Sequence, residues 1–162
     1  MSRVEVFENR RPVLGINSLG RIGKLTLWHH IGRKYFQEIV INIGRNVGNG
    51  LSAVAQAIEK DATYGTIHRF LYGVKAKRII QIVDEQKGSL LVDGIPVTIL
   101  REARNPAEIG WRNYGADVVV ECTGKFHDPS LAADDRKGAL KGHLAAGAKV
   151  VLDSSAFKIK NK

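Results

Sequence analysis

One cysteine, Cys122, is the only thiol in this 162-residue chain, so an internal disulfide framework is excluded, and no Cys/His cluster has the spacing of a zinc site. That favours a reducing cytosol. The first residues, Met1-Ser2-Arg3-Val4-Glu5-Val6, lack the apolar stretch of a signal peptide. Every hydrophobic run is interrupted by Pro, Gly or a charge before it reaches membrane-spanning length, so the chain reads as soluble, with no membrane partner. Internal repeats and low-complexity tracts are missing too. Acidic residues are in short supply: 16 Asp and Glu stand against 25 Lys and Arg, a formal net charge of +9. Such a field attracts nucleotides, nucleic acid or an acidic partner without choosing among them. The excess is scattered over Lys75, Lys77, Arg78, Arg136, Lys137 and Lys141, with a further group at Lys158, Lys160 and Lys162, which reads first as a solvated basic surface. No stretch interleaves aromatic and basic residues in the manner of single-strand nucleic-acid binders, so that class ranks low.

Hydrophobic residues make up 44% of the chain, enough at this length for one sizeable core and one domain. A polar leader is expected over residues 1–11, a single domain over 12–158 and a basic tail over 159–162. Pro12–Ile16 reads as a short buried strand, followed by an Asn17-Ser18-Leu19-Gly20 turn and a helix whose Ile22, Leu25, Thr26, His29 and His30 recur at helical spacing, closed by Gly32. Glu38–Ile43 is a second apolar strand and Gly44–Gly50 a glycine-rich loop. Ser52 is placed to cap a helix through Lys60 with Leu51, Val54, Ala55, Ile58 and Ala62 inward. A β-rich section follows: Val74–Val83, Ser89–Val92, the hairpin signal Asp93-Gly94, and Ile95–Leu100. Asn105-Pro106-Ala107-Glu108 has the capping pattern of a short helix. Val118–Val120 is a β-branched run suited to a sheet covered on both faces. Ser130–Ala146 is expected as a helix broken near Gly138 and Gly142, and Lys149–Leu152 as a last strand. The alternation predicts a Rossmann-type, doubly wound α/β fold, its sheet mostly parallel with a β-hairpin excursion.

After the first strand the chain reads Gly15-Ile16-Asn17-Ser18-Leu19-Gly20-Arg21-Ile22-Gly23. A dinucleotide fold needs a tight turn there, a bare backbone where the pyrophosphate approaches, and a small residue where helix packs on strand. Gly20 and Gly23 suit the second and third roles. Ser18 holds the position of the first glycine, so the turn must be made without glycine's freedom at positive φ. The helix beginning near Gly20 offers unpaired N–H groups and a positive dipole end to phosphates. Alone, this motif could equally mark an ordinary glycine turn.

The surrounding motifs resemble one family throughout. Gly15-Ile16-Asn17 with Gly20-Arg21-Ile22-Gly23, Lys60-Asp61-Ala62-Thr63-Tyr64-Gly65, Val92-Asp93-Gly94, Arg104-Asn105-Pro106, Trp111, Ala116 to Phe126 and His143 to Val151 resemble, in order, segments of the N-terminal half of glyceraldehyde-3-phosphate dehydrogenases. The likeness runs from about Pro12 to Lys158. It implies an oxidoreductase family of glycolysis, cytoplasmic, with a dinucleotide, NAD or NADP, as ligand. By that resemblance Asn17, Gly20, Arg21, Ile22 and Gly23 form the pyrophosphate turn, Arg104 lies near the adenine side, Thr123, Gly124 and Phe126 (with Cys122) border adenine and ribose, and Ser154 sits near the nicotinamide. Relatives that prefer NAD carry an Asp at the end of strand two, where this chain has Ile43-Gly44-Arg45-Asn46; losing that carboxylate and gaining Arg45 tilts the expectation toward NADP. Arg45 pointing into solvent is the alternative.

No catalytic residue is expected in this chain. The family's nucleophile and base belong to segments beyond Lys162, and Cys122 stands where relatives often carry Ser, so it reads as a buried, inert thiol. His29, His30, His68, His127 and His143 read as structural or exposed. The chain also departs from the family at Asp153 and at Ser154-Ser155-Ala156, which alters the nicotinamide edge. The expected protein is therefore a dinucleotide-binding module. The alternatives are the cofactor-binding segment of a phosphorylating aldehyde dehydrogenase completed by a separate catalytic part, and a basic polyanion-binding protein. An apolar strip, where the family's C-terminal helix would pack, predicts self-association.

Overall fold

A computed structural model describes residues 10–45, 47–101 and 103–158. Most of the leader and all of the tail expected from sequence, and Asn46, lie outside them. The described chain builds a seven-stranded sheet from β1 (Val13–Asn17), β2 (Glu38–Asn42), β5 (Ile80–Asp84), β6 (Ser89–Val92), β7 (Ile95–Leu100), β8 (Val118–Glu121) and β9 (Val150–Asp153), with a small hairpin of β3 (Lys60–Asp61) and β4 (Gly65–Thr66) apart from it. The order is β5-β6-β7-β2-β1-β8-β9, and β7, β2, β1, β8 and β9 run parallel. The antiparallel excursion β5-β6-β7 turns at Asp93-Gly94, both at positive φ (48° and 80°), the backbone of a type I′ hairpin. The fold is the Rossmann-like α/β arrangement expected.

Helices cover one face: α1 (Arg21–Arg33), α2 (Gly50–Glu59) and α3 (Ile67–Tyr72) enclose Leu14, Ile16, Ile39 and Ile41. The other face holds Val13, Val40 and Val119 beneath Ile109, just after the 3-10 turn Pro106–Glu108, Trp111 of the 3-10 turn Trp111–Tyr114, and Ala148, which follows the short helix α4 (Gly142–Ala145). Gly15 is required there: a Cβ would stand 2.8 Å from Val119 and 3.0 Å from the Trp111 ring.

Several sequence expectations shift. In α1 the buried residues are Gly23, Leu27, Trp28 and Ile31, while Ile22 is 51% exposed, so the expected face of Ile22, Leu25, Thr26, His29 and His30 is displaced. The cause is close docking at Gly23, where a Cβ would lie 2.0 Å from the Ser18 carbonyl oxygen; this turns the positions four, five and eight further on toward the sheet. Gly32 does not close the helix. It admits Leu71, and Lys34 ends the helix in the left-handed region. α2 starts before Ser52 because the Glu85 carboxylate accepts the Leu51 N–H; it stops at Glu59, leaving Lys60 in a strand and Ala62 exposed. The strand expected from Val74 begins only at Ile80, and the first and last strands run over Val13–Asn17 and Val150–Asp153 rather than Pro12–Ile16 and Lys149–Leu152. Within Ser130–Ala146 only Gly142–Ala145 is helical. Asp128 and Asp135 accept backbone N–H groups two residues on, a local pairing that competes with helix. Gly138, at φ 85°, is pressed between Phe126 and Pro106.

Asp117 ties the start of β1 to β8. Its carboxylate, almost fully buried, accepts the Val13 N–H at 2.9 Å and pairs with Arg10 at 3.0 Å and Lys149 at 2.9 Å. Burial pushes its pKa up, yet the Val13 and Lys149 hydrogen bonds and the nearby Arg10 and Lys149 charges outweigh this and hold it below the ordinary 3.8. A carboxyl group lowered in this way stabilises the fold above its ordinary value and ceases to do so as pH falls through the native value. Urea unfolding at a series of pH values should show stability declining below about pH 4, and the Asp117→Asn variant should show a shallower decline over the same range.

Candidate functional site

β1 feeds α1 on one face of the sheet, while β7 crosses to β8 on the other, so the loops after β1 and β8 diverge and leave a crevice at their carboxyl ends. Open α/β sheets bind ligands at such a reversal. Asn17, Ser18, Asn42, Gly44, Arg45, Arg104, Thr123, Lys125 and Phe126 line it. The space these residues line measures about 140 Å³, room for part of a nucleotide; it shares Arg104, Lys125 and Phe126 as walls with a neighbouring cavity of about 760 Å³.

The turn into α1 is strained. Ser18 has φ 94°, a backbone conformation glycine adopts freely and serine does not, and its Oγ accepts the Gly20 N–H at 3.2 Å. Gly20 is the extended N-cap of the 13-residue α1; no side chain caps this helix and its first turn carries no acidic residue. The first N–H groups therefore have no intrahelical partner, and the helix dipole is uncompensated at the mouth of the crevice.

Beneath the crevice runs a buried chain of hydrogen bonds. Trp111 Nε1–H donates to His143 Nδ1 at 2.9 Å, and since the indole can only donate, the imidazole proton sits on Nε2 and points at Glu121 Oε2, also at 2.9 Å. The same oxygen accepts from Asn17 Nδ2 at 2.7 Å, while Oε1 accepts the Thr123 N–H. Asn17 Oδ1 accepts from Asn42 Nδ2 at 2.9 Å, and Asn42 Nδ2 also donates to the Ala103 carbonyl at 2.9 Å. Trp111, His143 and Glu121 are fully buried, Asn17 and Asn42 nearly so. Desolvation pushes the Glu121 pKa up, but the hydrogen bonds from His143, Thr123 and Asn17 prevail and hold it below the usual carboxylate range. One acceptor is left over: Asn42 Oδ1, buried on the crevice wall, has no partner.

Of the residues singled out from sequence, Asn17, Arg45, Arg104, Thr123 and Phe126 line the crevice itself. Gly20, Arg21, Ile22 and Gly23 form the adjoining helix start, and Gly124 lies between two lining residues. Ser154 is set apart, beyond β9; its N–H donates to the Glu121 carbonyl and its hydroxyl reaches the Cys122 thiol. Sequence reasoning missed Asn42, Lys125 and the Glu121–His143–Trp111 support. The available signal was a polar residue ending an otherwise apolar parallel strand, as Asn42 ends β2 and Glu121 ends β8. Cys122 is half-buried, and burial first, then the Glu121 and Asp153 charges, push its thiol up to about 11 despite hydrogen bonds to Ser154 and Thr26. Among the described residues no three His, Cys, Asp or Glu gather as a metal site.

A parallel sheet in this order, with a crevice at the reversal and a glycine-bearing turn into the first helix, defines a domain of the Rossmann-like nucleotide-fold class. The family model described as glyceraldehyde 3-phosphate dehydrogenase, NAD binding domain, matches residues 13–129. Glyceraldehyde-3-phosphate dehydrogenase 1 of Schizosaccharomyces pombe is 33% identical over 147 residues, covering 91% of this chain and 37% of that protein. Glyceraldehyde-3-phosphate dehydrogenase of Streptomyces coelicolor is 33% identical over 145 residues, 90% of this chain and 36% of its own length. Glyceraldehyde-3-phosphate dehydrogenase 2 of Bacillus subtilis is 32% identical over 139 residues, 86% and 34% respectively. The chain belongs to the glyceraldehyde-3-phosphate dehydrogenase family, through its N-terminal NAD-binding domain, and spans a little over a third of the length of these curated relatives.

Replacing Glu121 by Gln sets an amide donor against either His143 Nε2–H or the Thr123 N–H, whichever way it turns, and His143 cannot change tautomer without losing Trp111. Urea denaturation should report a loss of about 2 kcal/mol. The raised Cys122 thiol should alkylate with iodoacetamide at pH 7.5 roughly a hundredfold more slowly than a free thiol, and at the free rate once urea has unfolded the chain.

Proposed function

We propose that this domain binds a nicotinamide dinucleotide in the crevice between β1 and β8. The observation that carries the reading is the uncapped amino end of α1 opening on that crevice, with no acidic side chain to occupy it. The residues fit such a group. Gly20, Arg21 and Ile22 receive the pyrophosphate with backbone N–H groups, and Gly23 lets the helix pack close enough to aim them. Asn42 Oδ1, lacking a partner, is an acceptor for a ribose hydroxyl. Arg104, Thr123, Gly124 and Phe126 border the adenosine end, Arg45 stands at its ribose, and Ser154 lies toward the nicotinamide. When bound, the cofactor supplies hydride transfer; this chain's own part is to hold and orient it.

A second reading makes the domain the cofactor-binding segment of a complete aldehyde dehydrogenase, acting with a catalytic part contributed elsewhere. The greater length of the relatives supports it. So do the exposed apolar side chains of Leu144, Val150, Leu152 and Phe157 around the free edge strand β9, which suit a docking partner or a second copy. No helix among the described residues is long and apolar enough to cross a membrane, and one relative, from Gracilaria gracilis, is named as cytosolic; both fit a cytoplasmic setting.

Isothermal titration of the purified chain with NAD and NADP should give saturable one-site binding; heats no larger than dilution for both would sink the reading. Ser18→Gly removes the backbone strain and releases the Gly20 N–H, so it should raise unfolding stability by about 1 kcal/mol and tighten dinucleotide binding several-fold, whereas weaker binding counts against a phosphate at this turn.

A further inference from the structure

Along the sequence Lys125, Arg136, Lys137 and Lys158 belong to a scattered basic surface. The fold gathers them. With Arg104 they stand around the cavity of about 760 Å³ that adjoins the crevice. Over residues 126–140 the chain that walls this space is not helical, yet it is held in place by its own hydrogen bonds. The Lys137 N–H donates to Asp135 Oδ1 at 2.8 Å and the Gly138 N–H to the Asp135 carbonyl at 2.9 Å, while the Lys158 N–H donates to the His127 carbonyl at 3.0 Å and brings the end of the described chain onto the same wall. Gly138 lets the backbone press on the Phe126 ring, since a Cβ there would stand 2.6 Å from the ring and 2.8 Å from Pro106.

Two properties of the walls set what the space accepts. The first is charge: five cationic side chains face two acids, Glu108 and Asp128, and Asp128 Oδ1 already accepts the N–H and the hydroxyl of Ser130. The second is an apolar lining of Phe126, Leu131, Ala139 and Leu140, in which Leu131 keeps 37% of its surface exposed. An inorganic anion would answer the cations and leave the apolar lining wet, and a neutral apolar molecule would do the reverse. A space of this volume is the size of a small organic ligand's site, and lysine and arginine hold oxyanions by charge-assisted hydrogen bonds. Arg104, Lys125 and Phe126 are walls shared with the crevice, whereas Leu131, Arg136, Lys137, Leu140 and Lys158 line this cavity alone and have no part in the dinucleotide reading.

We infer that this cavity is a second ligand site, separate from the crevice, for a small organic anion: an aromatic or aliphatic body against Phe126 and Leu131, with a phosphate or carboxylate on the cationic rim of Arg136, Lys137 and Lys158. The inference stands on the cavity and does not depend on dinucleotide binding.

Titration of the isotopically labelled whole chain with 1-naphthyl phosphate, followed through backbone amide NMR shifts, tests it. The shifts should saturate and cluster at His127, at residues 137–140 and at Lys158. 1-Naphthol and inorganic phosphate, each with half of the required chemistry, should bind at least about tenfold more weakly. Arg136→Glu and Lys137→Glu, both at exposed positions, should each weaken the naphthyl phosphate about tenfold, the amide spectrum itself showing that the variant is folded, and the probe should still bind the wild-type chain in excess NAD. The wild-type titrations need no variant, so the inference stays testable if a substitution fails to fold. Shifts that do not saturate, shifts spread over the whole surface, or equally tight binding of inorganic phosphate overturn the site. Affinity kept in both variants overturns it as well, and so does loss of the probe in excess NAD, which would make the cavity part of the dinucleotide's own site.

Discussion

Glu121 is an anion with no solvent access, and the architecture around the crevice follows from what is needed to keep it there. A buried carboxylate without partners costs several kcal/mol, and here hydrogen bonds alone compensate: His143 from the far face of the sheet, Thr123 from the following loop, Asn17 from the neighbouring strand. Each donor is itself constrained. His143 can face Glu121 with Nε2–H only because Trp111 occupies Nδ1, and Asn17 can turn its amide to Glu121 only because Asn42 supplies a donor to its oxygen. The carboxyl ends of β8, β1 and β2 are thereby locked in register from below. Within this chain of hydrogen bonds among the described residues, Asn42 Oδ1 is left without a donor, on the crevice wall.

Above this support the polarity reverses. The buried layer carries the negative charge, while the walls carry Arg45, Arg104 and Lys125 and the uncapped start of α1. The net charge of the chain, diffuse when read as composition, acquires a direction at this place. Ser18 shows the same concentration of cost at the site: a serine held at φ 94° persists because Gly23 docks α1 against its carbonyl and because its hydroxyl takes the Gly20 N–H. Strain of this kind survives where packing over-determines the backbone.

Much was legible beforehand because its physics is local. The β-branched run Val118–Val120, the Asp93-Gly94 turn and the Asn105-Pro106 cap dictate their own conformations within a few residues. The α1 face was misread because apolar spacing alone admits more than one orientation, and a single glycine contact with the Ser18 carbonyl chose between them. Ser130–Ala146 was misread as helix because Asp128 and Asp135 pair with their own following backbone, and because Gly138 must pass beneath Phe126, a neighbour only after folding. The glycine turn and the crevice residues near it were found, whereas Asn42 and Lys125 were not, since neither belongs to a contiguous signature.

By itself the sequence determined the alternation of strand and helix, the excursion hairpin, the family and the glycine-bearing turn, all carried by periodicity or by residues adjacent along the chain. Only tertiary structure decided that Trp111, His143, Glu121, Asn17 and Asn42 form one chain of hydrogen bonds, and that Arg45, Arg104 and Lys125 line the crevice beside it. These groups lie as much as a hundred residues apart and meet because parallel strands, whose crossovers return each chain to the same edge, bring every carboxyl end to one side of the sheet.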